Sequence, residues 1–369
     1  MTAEANTTEA TPRQRRWIGA SVQIVGGLVG LGLFAWVISV ALAAENRAEL
    51  QKLAAAAPWQ IVAVIAVTLL SHATQGLAFW TGVRPVRRLS IVGLIATHVV
   101  AALLALVPFK LSVAFRVLVH HRRDRVPLAM IGGWFAAVSV PLFAVLGLLL
   151  LATLWRQNVD PLWVTTSVVG IAFMLGSVLL VARRFAGGPG LARLHRLLNP
   201  IAIGPLSRIL RSEHFQELHT GVTMVASPRW LSVGFALRVF DLGLQALRLM
   251  LVASAAGYET SITGAVLLTI AYFGTGVLSI AGNLGIREAV MLIAAGVLVA
   301  TSDTTATGTG DDSNPVAVIA LATTAIDSAV LVVLAIPALL VLRPDRLLQR
   351  RAVAKSASVA ADTPSEKPS

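Results

Sequence analysis

The 369-residue chain is 56% hydrophobic, only 13% of its residues are charged, and its mean hydropathy is +0.78. A soluble domain carries about twice that charged fraction, so the composition excludes an ordinary soluble globular protein and indicates that lipid surrounds most of the chain. The absence of cysteine excludes disulfides, thiolate metal sites and cysteine nucleophiles. The net charge of +12 fits basic residues retained beside anionic lipid better than nucleic-acid binding, because no basic surface interleaved with aromatic residues is present.

Long apolar runs predict an all-α, polytopic membrane bundle, since a spanning helix needs about 20 apolar residues. The first run follows three arginines and ends at Ala41-Leu42-Ala43, which resembles a signal-peptidase site. It is longer than a signal-peptide core of about 7–15 residues, so we interpret it as a retained anchor. The segment 45–57 is expected to form a short surface helix. The six predicted spans are residues 17–43, 58–83, 126–155, 161–182, 230–257 and 315–342.

Two further apolar segments, 90–119 and 262–300, are interrupted near their middles. If each is a re-entrant or broken-helix hairpin, 22 of the 30 Lys and Arg residues are cytoplasmic, three lie outside and five lie within the membrane. Single crossings would place basic clusters outside, so we expect two oppositely oriented hairpins and cytoplasmic termini. The transmembrane domain would cover 17–342, with a basic cytoplasmic segment at 183–229, an outer acidic loop at 301–314 and disordered ends at 1–16 and 343–369.

The interruptions are Pro108-Phe109-Lys110-Leu111-Ser112-Val113 and Ala281-Gly282-Asn283-Leu284-Gly285-Ile286, and an arginine follows each, Arg116 and Arg287. Interrupted helices in corresponding positions indicate a transport site near the bilayer midplane, although two unrelated Gly/Pro kinks would give the same pattern. Asn283 is expected to cap the second half-helix, which carries Glu288 in its first turn. The partial positive charge of that helix N-terminus would favour an anion at the break.

Charged residues inside the bilayer cost about 2.5–3.5 kcal/mol each at a helix centre, so they need partners or a wet cavity. Five of the predicted intramembrane charges are basic and three are acidic, which leaves a net positive charge if every acid pairs with a base. That balance suits an anionic headgroup such as a phosphate. The eight residues are Lys110, Arg116, Arg238, Asp241, Arg248, Arg287, Glu288 and Asp327.

A polar stripe runs along the span 230–257, where Arg238, Asp241, Gln245 and Arg248 are spaced by three, four and three residues and therefore share one helix face. Two interpretations stay open. The stripe lines a path for a headgroup, or Arg238 and Asp241 form a structural pair while Arg248 reaches towards the outer interface.

Two other patterns are polar but less specific. His72 and Gln75 share a face of the span 58–83, and His98 lies in the first hairpin; we expect them to be hydrogen-bonded packing groups rather than a proton relay. Within the basic segment, leucines alternate with Arg193, His195 and Arg196. This alternation is typical of an amphipathic interfacial helix, and a plain solvated loop is the alternative.

The chain resembles the flippase-like transmembrane domain at the front of lysylphosphatidylglycerol synthases, over roughly residues 17 to 342. The resemblance rests on the order of spans, on Pro108 with Lys110 and Arg116, and on residues 281–288, which are similar to a Pro-Gly-Gly-Leu-Gly-x-x-Glu motif. Ala281 and Asn283 depart from that motif, and Val113-Ala114 replaces a Gly-Glu pair common in the family. The resemblance implies a role in moving or presenting a lipid or lipid-linked sugar, in some relatives beside cell-envelope glycosyltransferases. The aminoacyl-transferring domain of the synthases is missing, so we expect no lysyl transfer.

We therefore predict a cell-membrane flippase or translocase for a lipid or lipid-linked intermediate with an anionic headgroup. The sequence contains no Walker A, HExxH or Gly-x-Ser-x-Gly pattern, so we expect neither ATP-driven transport by this chain alone nor an enzyme, and no cofactor or metal. The partner would be an anionic phospholipid or a lipid-linked sugar. The alternative is a membrane scaffold or accessory subunit for an envelope glycosyltransferase. The predicted path residues are Lys110, Arg116, Arg238, Asp241, Arg248, Asn283, Arg287 and Glu288.

Overall fold

The computed structural model describes residue 28 and residues 31–107, 110–199, 205–278, 285–301 and 315–343. These described residues are helical throughout, apart from short turns and connections, and contain no strand. The helices are α1 Leu31–Ala41, α2 Arg47–Ala54, α3 Pro58–Val83, α4 Ile91–Leu104, α5 Leu111–Arg122, α6 Leu128–Arg156, α7 Pro161–Phe185, α8 Gly187–Leu198, α9 Pro205–Leu210, α10 Glu213–Val225, α11 Pro228–Ala255, α12 Ile262–Leu278, α13 Ile286–Thr301 and α14 Pro315–Leu342.

Four helices, α3, α6, α7 and α14, are long and apolar enough to cross a membrane. The predicted bounds of α3 and α14 are confirmed, and those of α6 and α7 agree within three residues. Few residues of α7 are buried, and large apolar side chains along it, such as Val168, Phe173 and Leu180, are exposed, as expected of a helix surrounded by lipid. α11 has the necessary length but carries the predicted polar stripe, and much of the first predicted span lies outside the described residues. The chain is therefore a polytopic helical membrane protein.

The chain divides into two compact units. The first unit draws its described residues from 1–64, 104–112 and 246–326, and the second draws on 65–103, 113–245 and 327–369. In the first unit, the last third of α11 packs with α12, α13 and the start of α14. The side chains at the centre of this core are Ala253, Ala265, Met291, Ile319 and Ala320.

The second predicted hairpin is confirmed as two helices, α12 and α13, that pack against each other in the first unit. The Arg287 side chain crosses α12 at Gly276, whereas Ala265, near the other end of α12, shares its core cluster with Ala295 of α13. The two helices are therefore antiparallel. Residues 279–284 lie outside the described residues, and α13 begins after Gly285, which has a φ of +81°.

The first predicted hairpin is formed by α4 and α5, and the parts of these helices that lie in the second unit are also antiparallel. Gly93 of α4 lies against the guanidinium of Arg123, just beyond the end of α5, and His98 lies against Arg116 of α5. The two helices are therefore antiparallel, as the hairpin prediction requires. Pro108 and Phe109 lie outside the described residues, and Lys110 at the break has a φ of +48°.

The basic segment 183–229 is not a plain loop, and that alternative is wrong. It forms α8, α9 and α10, and α10 packs against both α6 and α7. Gly133 of α6 and Gly221 of α10 allow this approach, because a Cβ atom on Gly133 would stand 2.3 Å from the carbonyl oxygen of Leu218. On α8, Arg193 Nη1 donates to the carbonyl of Arg184 at 2.8 Å, while Leu194 lines an apolar cavity.

Candidate functional site

Asp241 of α11 is the acceptor at the centre of a buried polar cluster in the second unit. Ser71 Oγ donates to its Oδ1 at 2.6 Å and Gln75 Nε2 at 3.2 Å, both from α3. Gln245 Nε2, one turn along α11, donates to Oδ2 at 3.3 Å, and Arg238 Nη1 lies 3.9 Å from the same oxygen. Asp241 is 1% exposed and Arg238 is 4% exposed, so the carboxylate offsets a guanidinium that water does not solvate.

His72 and His98 form a second buried cluster in the same unit, beside the residues of α3 just described. His72 Nε2 lies 3.1 Å from Asp327 Oδ1 of α14, and the two imidazole rings are 5.8 Å apart. Arg116 Nη2 lies 2.9 Å from His98 Nδ1, and its guanidinium stacks 4.3 Å from the centre of the Phe79 ring. Because arginine only donates, His98 Nδ1 must accept, which places the proton of a neutral His98 on Nε2.

α3 presents all of these groups on one face, since residues 71, 72, 75 and 79 follow helical spacing. The predicted shared face of His72 and Gln75 is confirmed, and each residue reaches a different carboxylate, Asp327 and Asp241. Among the described residues, His72 Nδ1 and His98 Nε2 are buried nitrogens without a hydrogen-bond partner. The cluster therefore retains unused polar groups in an apolar bundle, where each is costly.

Glu288 anchors a separate cluster within the first unit. Its Oε2 accepts from the backbone N–H of Gly285 at 2.7 Å, and its Oε1 accepts from the hydroxyl of Thr324 on α14. Thr324 Oγ1 also lies 3.1 Å from the hydroxyl of Tyr272 on α12. Glu288 is at the third position of α13 and reaches back to the residue before the helix, as in a capping box. The anion at this helix N-terminus is thus the chain's own carboxylate.

That arrangement corrects the expectation for Asn283. α13 begins at Ile286, so the N-cap position is Gly285, and Asn283 itself lies outside the described residues. Arg287, next to Glu288, stacks 5.0 Å from the centre of the Tyr272 ring. Its side chain crosses α12 where Gly276 has no Cβ, since a Cβ there would stand 2.3 Å from Nε.

The remaining predicted path residues have different environments. Lys110 is exposed at the break between α4 and α5. Arg248 is 4% exposed within the first unit, so it is buried rather than extended to an interface. The structure joins Arg238 with Asp241 in one unit and brings Arg287 and Glu288 to the same end of α13 in the other. Of the three acids, Asp241 lies beside Arg238, Asp327 contacts His72, and Glu288 contacts a hydroxyl and an amide.

Three hydroxyl-bearing partners, Ser71, Tyr272 and Thr324, belong to these clusters and were not predicted. Tyr272 is one of only two tyrosines in the chain, and it lies within an otherwise apolar run, which is a signal that could have identified it. Within the part of the chain that the structure describes, no three His, Asp or Glu side chains are grouped as metal ligands.

The polytopic fold and the Arg287–Glu288 break can be compared with known proteins. A family model described as the lysylphosphatidylglycerol synthase TM region matches residues 23–311. The chain belongs to this family. The predicted family resemblance is thereby confirmed, and membership agrees with a multi-pass membrane protein related to lipid handling.

No curated protein and no solved structure matches the chain. The match to the lysylphosphatidylglycerol synthase TM region ends before α14. Two of the polar partners found here, Thr324 of the Glu288 cluster and Asp327 of the His72 cluster, therefore lie beyond the matched residues.

Proposed function

We propose that this member of the lysylphosphatidylglycerol synthase TM family moves a lipid with an anionic headgroup across the cell membrane, without hydrolysing ATP itself. The observation that supports this most is the environment of Arg116. Its guanidinium contacts neutral His98 and the face of Phe79, and no carboxylate of a described residue lies within 4 Å of it. A half-buried cation with neutral neighbours favours an anionic ligand.

The nearby acidic residues support the same proposal, because each of them contacts a group other than Arg116. Asp241 accepts from three side chains and lies beside Arg238, and Asp327 binds His72. Polar side chains from α3, α4, α5, α11 and α14 thus occur within one apolar unit. Ionisable groups at such depth are expensive, and they are typical of a substrate or ion pathway.

The test is lipid movement in vesicles that contain only the purified protein. A fluorescent phosphatidylglycerol labelled on an acyl chain is incorporated, and a membrane-impermeant reductant then bleaches the label in the outer leaflet. Loss of the protected inner-leaflet signal measures movement. Arg116→Gln should slow this loss about tenfold or more, since a charge-assisted hydrogen bond contributes about 1.5–3 kcal/mol.

Arg122→Gln is the matched control, because Arg122 ends the same helix, α5, and is exposed. It should leave movement within about twofold of the wild type, as expected for a surface change. Both variants must elute and unfold like the wild type. Equal rates in all three proteins would overturn the role of Arg116. Absence of movement, with copurification of an envelope glycosyltransferase, would instead support the scaffold alternative.

A further inference from the structure

A polar cavity of about 640 Å³ lies where α3 ends and α11 begins, within the second unit. Three arginines of the turn after α3, Arg84, Arg87 and Arg88, line it. Thr223 of α10 and Ser227, just before α11, also line it, and none of the described lining residues is acidic. Three cations around one cavity repel each other, so an anion inside it would stabilise the arrangement.

Arg84 is held in place by two tryptophans. Its guanidinium carbon lies 5.5 Å from the centre of the Trp80 ring and 5.9 Å from that of Trp230, and the two rings meet edge to face at 5.1 Å. Stacking on two aromatic faces fixes the guanidinium without consuming its N–H groups. Its Nε is buried and has no hydrogen-bond partner among the described residues. Because this nitrogen is buried, it does not face the cavity, and the two ring contacts are what pre-organise the guanidinium at its wall.

Arg87 is fixed in a different way. Its Nη1 donates to the backbone carbonyls of Asp124 and Arg125, at 2.9 Å and 2.8 Å, which ties the wall of the cavity to the turn after α5. Arg88 is exposed at the rim. Arg84 is thus stacked on two aromatic rings, Arg87 is hydrogen-bonded through Nη1, and Arg88 is exposed. The exposed arginine can contact a charged group first, and the two fixed arginines can then hold it inside the cavity.

The helices around this cavity indicate a lipid rather than a soluble ligand. α10 contributes Thr223 to the polar cavity, while its Val222 and Val225 line an apolar cavity of about 660 Å³ between α6, α7 and α10. A phosphate and an acyl chain would therefore find complementary cavities on neighbouring faces of one helix. Tryptophans are also enriched at the membrane interface, where headgroups lie. The 28-residue α11 begins at Pro228, and its N-terminus adds partial positive charge beside Ser227.

We infer that this arginine-lined cavity binds the phosphate of an anionic phospholipid from the adjacent leaflet, the cytoplasmic one according to the charge distribution. Guanidinium groups bind phosphate oxygens through paired hydrogen bonds, and the net positive lining disfavours zwitterionic lipids. This binding does not depend on transport, so it can be tested even if the protein moves no lipid.

The experiment measures binding of phosphatidylglycerol to the full-length protein in detergent, by native mass spectrometry over a lipid titration. Arg84→Gln and Arg88→Gln should each weaken binding about tenfold, as expected when one charge-assisted contact is lost. Arg208→Gln is the control, because Arg208 is exposed on α9 and does not line the cavity. If Arg84→Gln fails to fold, the exposed Arg88 still provides the test.

Competition distinguishes the two sources of phosphate. Inorganic phosphate and glycerol 3-phosphate should displace phosphatidylglycerol only weakly, because they lack the acyl chain, and phosphatidylcholine should bind less tightly. Displacement by inorganic phosphate at concentrations comparable to the lipid would overturn the assignment to a lipid. Equal phosphatidylglycerol affinity in the wild type, Arg84→Gln and Arg88→Gln would overturn the site itself.

Discussion

The Arg238–Asp241 pair allows the two interpretations of the α11 stripe to be separated. Asp241→Asn preserves the size of the side chain but removes the charge that lies 3.9 Å from Arg238. The new amide NH₂ would also face a donor, Ser71 or Gln245, at a position where both oxygens now accept. Because Arg238 is 4% exposed, it would be left as an uncompensated buried charge, which costs about 3–5 kcal/mol.

The second variant adds Arg238→Met to Asp241→Asn, so that neither charge remains. Replacing both members of a buried pair is often close to neutral, and the double variant should regain most of the lost stability. Thermal unfolding in detergent measures this order, with Glu213→Gln on the surface of α10 as the control. The lipid-movement assay is then run on the double variant. Restored movement favours a structural pair, and restored stability without movement favours a headgroup path.

Two outcomes would refute this account of the pair. If Asp241→Asn unfolds at the wild-type temperature, Arg238 does not depend on the carboxylate. If the double variant is no more stable than Asp241→Asn alone, the lost stability comes from the hydrogen bonds of Ser71, Gln75 and Gln245 rather than from charge. The stability difference between the double variant and Asp241→Asn measures what the unpaired Arg238 costs once the carboxylate is gone.

Three further predictions each compare a variant with a control variant or with the wild-type protein. Gly133→Ala should lower the unfolding free energy by about 1–3 kcal/mol, because its methyl group would stand 2.3 Å from the carbonyl oxygen of Leu218. Gly147→Ala on the same helix is the control and should not destabilise the protein, since no described atom lies within 4 Å of the added methyl group. Equal unfolding temperatures of the two variants would contradict this. Gly276→Ala should slow lipid movement by displacing Arg287, and Gly274→Ala, with open space, should not; similar rates in both would contradict it. The Arg156 guanidinium, together with the Trp163 N–H, lowers the pKa of Asp160. The stability advantage of wild type over Asp160→Asn should therefore be complete at neutral pH and shrink progressively as pH falls below about 4; an advantage that is the same at pH 3 as at pH 7 would contradict it.

The positions of the spans and of the two helix breaks could be predicted because their signals are local. Pro58 and Pro315 stand at the first positions of α3 and α14, where a missing backbone N–H costs nothing, and each apolar run ends at an arginine just beyond the helix. The breaks at 108–113 and 281–286 contain the residues that interrupt a helix. Hydrophobic runs, together with the residues that start or interrupt helices, thus define where the elements begin and end.

The partners of the buried polar groups could not be predicted in the same way. Helical spacing shows that His72 and Gln75 share a face, but it does not show that Asp327 and Asp241 lie opposite them, 255 and 166 residues away. Glu288 was expected to line a path, and its capping of Gly285 depends on where α13 begins. The packing of α10 against α6 and α7 was not predicted, because no local pattern shows which helices lie against it.

The central claim is that the protein alone carries an anionic lipid through the bilayer. The most direct measurement compares acyl-labelled phosphatidylglycerol and phosphatidylcholine in vesicles that contain the wild-type protein and no ATP. The account predicts that the impermeant reductant bleaches nearly all phosphatidylglycerol, while the inner-leaflet phosphatidylcholine stays largely protected. Protection of both lipids, equal to that in protein-free vesicles, or equal loss of both would contradict it.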